Sequence, residues 1–171
     1  MKRLLLCRHA KSSWAEGGQQ DHERPLSARG ERDAPRIGKR LHRHGTSPNS
    51  LVSSPAVRAR RTAELLADAL RYPRSQIRLE PTLYLANPAA LTAVVAGEND
   101  DADCLLVVAH NPGLTDLVNH LLPDFALDNL PTCGVVAIDF DARHWAEMAA
   151  APRQLVYYDY PKNPAPPFTA N

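Results

Sequence analysis

Cysteine is scarce in this chain: Cys7, Cys104 and Cys133 are odd in number and have no C-x-x-C spacing, which argues against both a disulfide framework and a zinc knuckle. The three thiols read instead as small, reduced, buried apolar residues. Cys7, beside Arg8, is the one candidate for oxidation. Long apolar runs are also missing. Leu4 to Cys7 is too short for the core of a signal peptide and is closed by Arg8, and no stretch approaches a membrane span. A cytoplasmic chain that meets no membrane is expected. There is no excess of one charge either. A formal net charge of +1 provides no broad basic field, so a nucleic acid is not an expected partner and any anion site must be local. Lysine is rare beside arginine, whose rigid fork suits bidentate contact with oxyanions.

What is present suits one folded unit. With 44% hydrophobic and 23% charged residues, a chain of this length buries roughly two-thirds of its unfolded surface. Residues 1–160 are expected to form a single domain, followed by a proline-rich tail over 161–171 that is extended on the surface or disordered.

Three apolar segments read as strands that lead into helices: Arg3 to Cys7, Leu51 to Ser53, and Cys104 to Ala109. The last, CLLVVA, has no polar alternation and so is expected to be covered on both faces. After the second strand, Ser54 and Pro55 look like a cap and a first helical residue, with Ala59, Ala63, Leu66 and Leu70 following at helical spacing. After the third, Asn111 is the expected cap, with Leu114, Leu117, Val118 and Leu121 as the apolar stripe. A helix over Ser27 to His44 carries Ala34, Ile37 and Leu41, and Pro35 must either kink it or mark a restart near Asp33. Shorter elements are expected at Ile77 to Leu79, Ala89 to Ala96, Val135 to Phe140 and Gln154 to Tyr160. The pattern is α/β: a three-layer sandwich with a central, mostly parallel sheet and helices on both faces.

Ligands of open parallel sheets gather beyond the carboxyl ends of the strands. Each of the three strand ends carries a residue fit for chemistry: Arg8 and His9, then Arg58 early in the following helix, then His110. Any one of these could merely solvate a strand end or cap a helix; three together favour convergence. Guanidinium forks beside helix N-termini suit the oxygens of a phosphoryl group, and fixed donors stabilise the charge that spreads over those oxygens during in-line transfer. His9 is then a nucleophile candidate. Its imidazole is neutral near physiological pH and can hold phosphorus as an N-phosphoryl intermediate, and cationic neighbours depress its pKa. Lys11 and Ser12 follow it and are candidate phosphate donors, and Ser13 is a further one. Trp14 either roofs the pocket or covers core.

The stretches LCRHA, RPLSARG, SSPAVRARRTAE and VVAHNPGL, in this order from Arg3 to Leu121, resemble the histidine phosphatase superfamily, also called phosphoglycerate-mutase-like, and within it the short SixA-like protein-phosphohistidine phosphatases. The resemblance implies His9 as the phosphorylated nucleophile and Arg8, Arg58 and His110 as phosphoryl ligands, with Arg24 near the pocket mouth. Two departures stand out. Ala10 replaces the glycine that commonly follows the nucleophile, so positive φ is not expected there. The inserted region that carries a general acid in larger members is short here, over 71–103, and its acids, Glu80, Glu98, Asp100, Asp101 and Asp103, form no known catalytic motif.

A missing acid favours a leaving group that needs none. Alkoxide departure without a proton donor is slowed roughly a hundredfold or more, whereas phosphohistidine leaves as imidazole. The expected activity is a metal-independent phosphatase acting on phosphohistidine in proteins, with no cofactor. The expected partner is a phosphohistidine-bearing protein, possible as a phosphorelay component, or a small phosphorylated metabolite. Asp21 or Tyr84 could serve as a loop acid, which would suit a small-molecule phosphomonoesterase. A non-catalytic phosphate-binding module is the reading from outside the enzymes. A mutase is disfavoured by the lack of length for a lid. His22, His42, His44, His120 and His144 have no ligand-like company, and no metal site is expected.

Overall fold

Leu4, Leu5, Leu6 and Cys7 are fully buried, as expected of a strand covered on both sides. In a computed structural model, which describes residues 1–15, 17–164 and 168–169, they belong to strand β1 (Lys2–Arg8). The chain continues through α1 (Ala28–Arg43), β2 (Ser50–Ser53), α2 (Val57–Leu70), β3 (Arg78–Leu79), α3 (Pro88–Ala96), β4 (Cys104–Ala109), α4 (Gly113–Leu121), β5 (Val135–Phe140), β6 (Arg153–Asp159) and β7 (Phe168–Thr169). Among the described residues the strands form one sheet in the order β3-β2-β4-β1-β5-β6-β7. β3, β2, β4 and β1 are parallel, whereas β5, β6 and β7 pair antiparallel with their neighbours. Four of the seven strands therefore make the expected parallel sheet, and the antiparallel extension reflects what short apolar strands do not encode, their direction.

Side-chain alternation splits the core into two layers. Leu4 and Leu6 of β1 and Leu105 and Val107 of β4 face Leu91 of α3 and Leu114, Leu117 and Val118 of α4. Leu5 and Cys7 of β1 and Leu106 and Val108 of β4 face Ala34, Ile37 and Leu41 of α1 and Ala59, Ala63 and Leu66 of α2. The three-layer sandwich follows directly. Cys7 and Cys133 are buried and free, and Cys104 is partly covered. Among the described residues no helix is long and apolar enough to cross a membrane.

Several boundaries differ from the sequence reading. Helix α1 runs through Pro35 in one piece, and only the Glu31 carbonyl loses its donor. Ser27 caps it, accepting from Gly30 N at 3.2 Å. Helix α2 begins at Val57 with no side-chain cap, so Ser54 is not its cap. Helix α4 begins at Gly113, and Asn111 still acts as a cap in substance, because its Oδ1 accepts from Thr115 N at 3.1 Å. Of the expected tail, 161–164 follow β6 and Phe168–Thr169 pair with it; 165–167, 170 and 171 lie outside the described residues.

Candidate active site

Register brings the strand ends together. Arg8 pairs with Ala109 and Ser53 with Val108, so the next residues, His9, His110 and Ser54, leave the sheet side by side at its carboxyl edge. The rings of His9 and His110 are 5.2 Å apart. Arg58 enters from the first turn of α2 and is 2% exposed. All of Arg8, His9, Lys11, Ser12, Arg24, Arg58 and His110 line one cavity of about 410 Å³, together with Trp14, Asp21, Leu85, Asn111 and Thr132. A separate surface cavity holds Arg60, Glu64 and Arg74, whose charges pair with one another.

The RPLSARG stretch acts as a clasp. Arg24 reaches the cavity, where Nη1 donates to Ser12 Oγ at 2.7 Å and Nε to Asp21 at 3.1 Å, and its guanidinium carbon lies 3.5 Å from the Trp14 ring centre. Leu26 is buried in the core and pairs with Ser12. The Ser27 backbone N–H and hydroxyl both donate to Lys11 O, at 2.8 and 3.1 Å. Gly30 permits this approach, since a Cβ there would stand 2.2 Å from the same oxygen.

His9 is held in one tautomer. Its Nδ1 lies 2.7 Å from Ala10 O, and a carbonyl can only accept, so Nδ1 carries the proton and Nε2 keeps its lone pair. Burial, and then Arg58, Arg8 and Arg24, push its pKa down to about 4, against a raising contribution from the Ala10 carbonyl. The ring is neutral and nucleophilic at pH 7. Burial and neighbouring His9, Arg58 and Arg8 hold His110 lower still, at about 3. Ala10 is buried without positive φ, and its N–H donates to Thr62 Oγ1 at 2.9 Å.

Three donors are left waiting. Arg8 Nε, Arg58 Nε and His110 Nδ1 are buried and have no hydrogen-bond partner, a state that carries a penalty of about 1–3 kcal/mol each unless a ligand satisfies it. Other atoms of the same groups are pinned: Arg8 Nη1 donates to Leu130 O at 3.1 Å, Arg58 Nη1 and Nη2 to Asp21 O and Oδ2 at 2.6 and 3.0 Å. The arrangement can cradle a tetrahedral oxyanion in front of His9 Nε2.

Asp21 sits at this cavity, though not as an acid. Tyr84 OH, Arg58 and Arg24 all donate to it and hold its carboxyl well below the usual range. Tyr84 in turn has its pKa raised by Asp21. Of the acids in the short interval, Glu98 pairs with Arg78, Asp100 with His144 and Asp103 with Lys2, and neither Glu80 nor Asp101 lines the cavity.

The roles of Ser54 and Thr62 escaped the sequence reading. Ser54 looked like a helix cap, but its Oγ lies 2.7 Å from His110 Nε2. Thr62 Oγ1 joins Ala10 N to Arg58 O, to which it donates at 2.7 Å; its position one helical turn after Arg58 was the available signal. Among the other histidines, His22 packs edge-on against Tyr84 and His44 stacks on Tyr157.

Residues 4–84 match the histidine phosphatase superfamily (branch 1). A relative in Mycobacterium tuberculosis, an uncharacterized protein, is 31% identical over 165 residues that cover 91% of this chain and 99% of the relative. The fold is similar to that of the candidate phosphohistidine phosphatase SixA of Nakamurella multipartitia, with a TM-score of 0.78, 27% identity and coverage of 95% and 97% of the two chains. It is also similar to the protein histidine phosphatase SixA solved with tungstate, with a TM-score of 0.78, 21% identity and coverage of 93% and 97%. The family match, the relative that is aligned over nearly the whole of both chains and the shared fold agree, and the chain belongs to the histidine phosphatase superfamily, branch 1.

Proposed function

We propose that this phosphatase works through a phosphohistidine on His9, needs no metal, and takes phosphohistidine in proteins as its substrate. In the reaction, His9 Nε2 attacks phosphorus and the bond from phosphorus to the substrate imidazole breaks. Arg8 Nε, Arg58 Nε and His110 Nδ1 donate to the phosphoryl oxygens, which supplies the charge stabilisation that transfer requires. Water then attacks the phosphoenzyme, releasing inorganic phosphate and restoring Nε2.

The observation that carries the substrate choice is the state of Asp21. Among the described residues it is the one carboxylic acid lining the cavity, and three donors keep it ionised. The cavity therefore offers no protonated carboxyl to an alkoxide. A phosphohistidine with its distal nitrogen protonated leaves as neutral imidazole, so none is needed. The SixA fold neighbours support the same substrate class.

The test is phosphate release, in EDTA, from a histidine-phosphorylated carrier protein by wild type and His9→Ala, with an alkyl phosphate alongside. Expected are fast release from the carrier, slow release from the ester, an acid-labile phosphoenzyme in the wild type, and loss of release and phosphoenzyme in the variant. Loss of activity in EDTA with recovery on added metal would overturn the mechanism, and fast alkyl-ester turnover would overturn the substrate.

A further inference from the structure

Four large apolar side chains are strongly exposed among the described residues, Met1, Trp14, Leu79 and Leu85, and two of them line the same cavity as His9. Trp14 is 75% exposed and Leu85 57%. Single exposed apolar residues are ordinary; a pair at the mouth of a cationic pocket is a different matter.

Both are held in place. Trp14 has its ring against the Arg24 guanidinium, itself buried and tied to Ser12 and Asp21, a contact that favours one placement of the indole. Leu85 has φ of 50°, a left-handed conformation that branched and bulky side chains avoid. Its neighbours impose it. Leu83 and Ala86 are buried, Tyr84 donates to Asp21, and the Ala86 carbonyl is packed so tightly on Gly113 that a Cβ there would lie 1.9 Å away. The chain can anchor 83, 84 and 86 only by turning Leu85 out to the rim. Strain retained at a functional mouth points to use.

We propose that Trp14 and Leu85 form a docking rim for an apolar side chain next to the phosphohistidine of a protein substrate. The inference rests on the function proposed above. Charge divides the site: the arginines and Lys11 face the anionic phosphoryl group, and beyond them the rim offers an aromatic face and an aliphatic side chain. A ligand that matches has an anionic tip and an apolar shoulder, as a histidine-phosphorylated segment with an aliphatic flanking residue does. Rigid aromatic surface of this kind binds with little loss of side-chain freedom.

The experiment compares two peptides phosphorylated on one histidine, flanked by leucine or by serine, with phosphoramidate as a reference that carries no flank. Wild type is expected to favour the leucine peptide by about tenfold in kcat/KM, mainly through KM. Leu85→Ser, which alters none of the described arginine hydrogen bonds, is expected to erase that preference and to leave phosphoramidate within about twofold of wild type; Trp14→Ala, which also removes the ring packed on Arg24, is expected to erase the preference as well. Equal rates on both peptides in the wild type would overturn the rim. So would equal losses on peptides and phosphoramidate in both variants, which would mean that the two residues merely support the arginines. Wild-type inactivity toward all three P–N substrates would instead remove the proposed function itself.

Discussion

Ser54 and His110 meet side chain to side chain, with Oγ 2.7 Å from Nε2. Ser54 Oγ accepts from Ala56 N at 3.3 Å, and among the described residues Nε2 is the one acceptor its own proton meets; with Ser54 donating to Nε2, the His110 proton sits on the unpartnered Nδ1. A hydroxyl one shell out thus decides whether the second histidine can donate to a phosphoryl oxygen. Ser54→Ala is expected to lower kcat about tenfold, the worth of one hydrogen bond of about 1.4 kcal/mol, with Ser54→Thr restoring most of it. Nitrogen NMR of His110 should show the proton moving to Nε2 in the alanine variant. An unchanged tautomer would refute the role.

Asp21→Asn should lower kcat/KM for phosphoramidate, an aryl phosphate and an alkyl phosphate in parallel, by about tenfold, because it loosens Arg58 and Arg24 for every substrate alike. Steady-state kinetics on the three esters and amides checks it. A loss confined to the alkyl phosphate would return Asp21 to the role of general acid.

The two histidines make stability depend on pH. Folded values of about 4 for His9 and about 3 for His110 lie below the ordinary 6.5. Between these values the unfolded chain binds more protons than the native one, so stability rises with pH. The contribution is complete above about pH 6.5 and is lost as pH falls toward about 4. Urea unfolding at pH 5 is expected to show up to about 2 kcal/mol less stability per ring than at pH 7, and a His9→Gln, His110→Gln double variant should show a flatter profile. A wild type equally stable at both pH values would contradict the assignment.

Gly30→Ala sets two effects against each other. Alanine favours a helix interior by about 0.8–1 kcal/mol over glycine, but the added Cβ would stand 2.2 Å from Lys11 O. That oxygen is held by two bonds from Ser27 and cannot withdraw without breaking them. The clash is expected to win, lowering stability by about 1–3 kcal/mol and weakening phosphate binding near Lys11. Thermal unfolding and inorganic phosphate inhibition measure both; a raised Tm would show that the clasp gives way freely.

The parts of the site legible in the sequence were those written in strand ends. Arg8, His9 and His110 follow uninterrupted apolar runs, and parallel register turns such positions into neighbours whatever their distance along the chain. Arg58 was legible through its place in the first turn of α2. Ser54 was misread because serine before proline is a common helix start, and the hydroxyl could not announce that its partner lay 56 residues on. Asp21 was legible as a loop residue that could reach the cavity, but the three donors that hold it ionised come from three separate segments and gave no signal. Leu85 gave no signal, as its exposure is dictated by where Leu83, Tyr84 and Ala86 are tied. The direction of β5 and β6 was likewise unreadable, because antiparallel pairing with β1 is settled by connections rather than by strand composition.

The adjacency of β1 and β4, separated by about a hundred positions in the chain yet paired residue for residue, has a consequence for how the chain can be divided. The two histidines lie on opposite sides of the stretch between α3 and β4, so a break anywhere from 97 to 103 leaves one ring on each fragment. Neither fragment carries both rings that face each other across the cavity. On the function proposed above, turnover therefore requires that the middle of the sheet has closed.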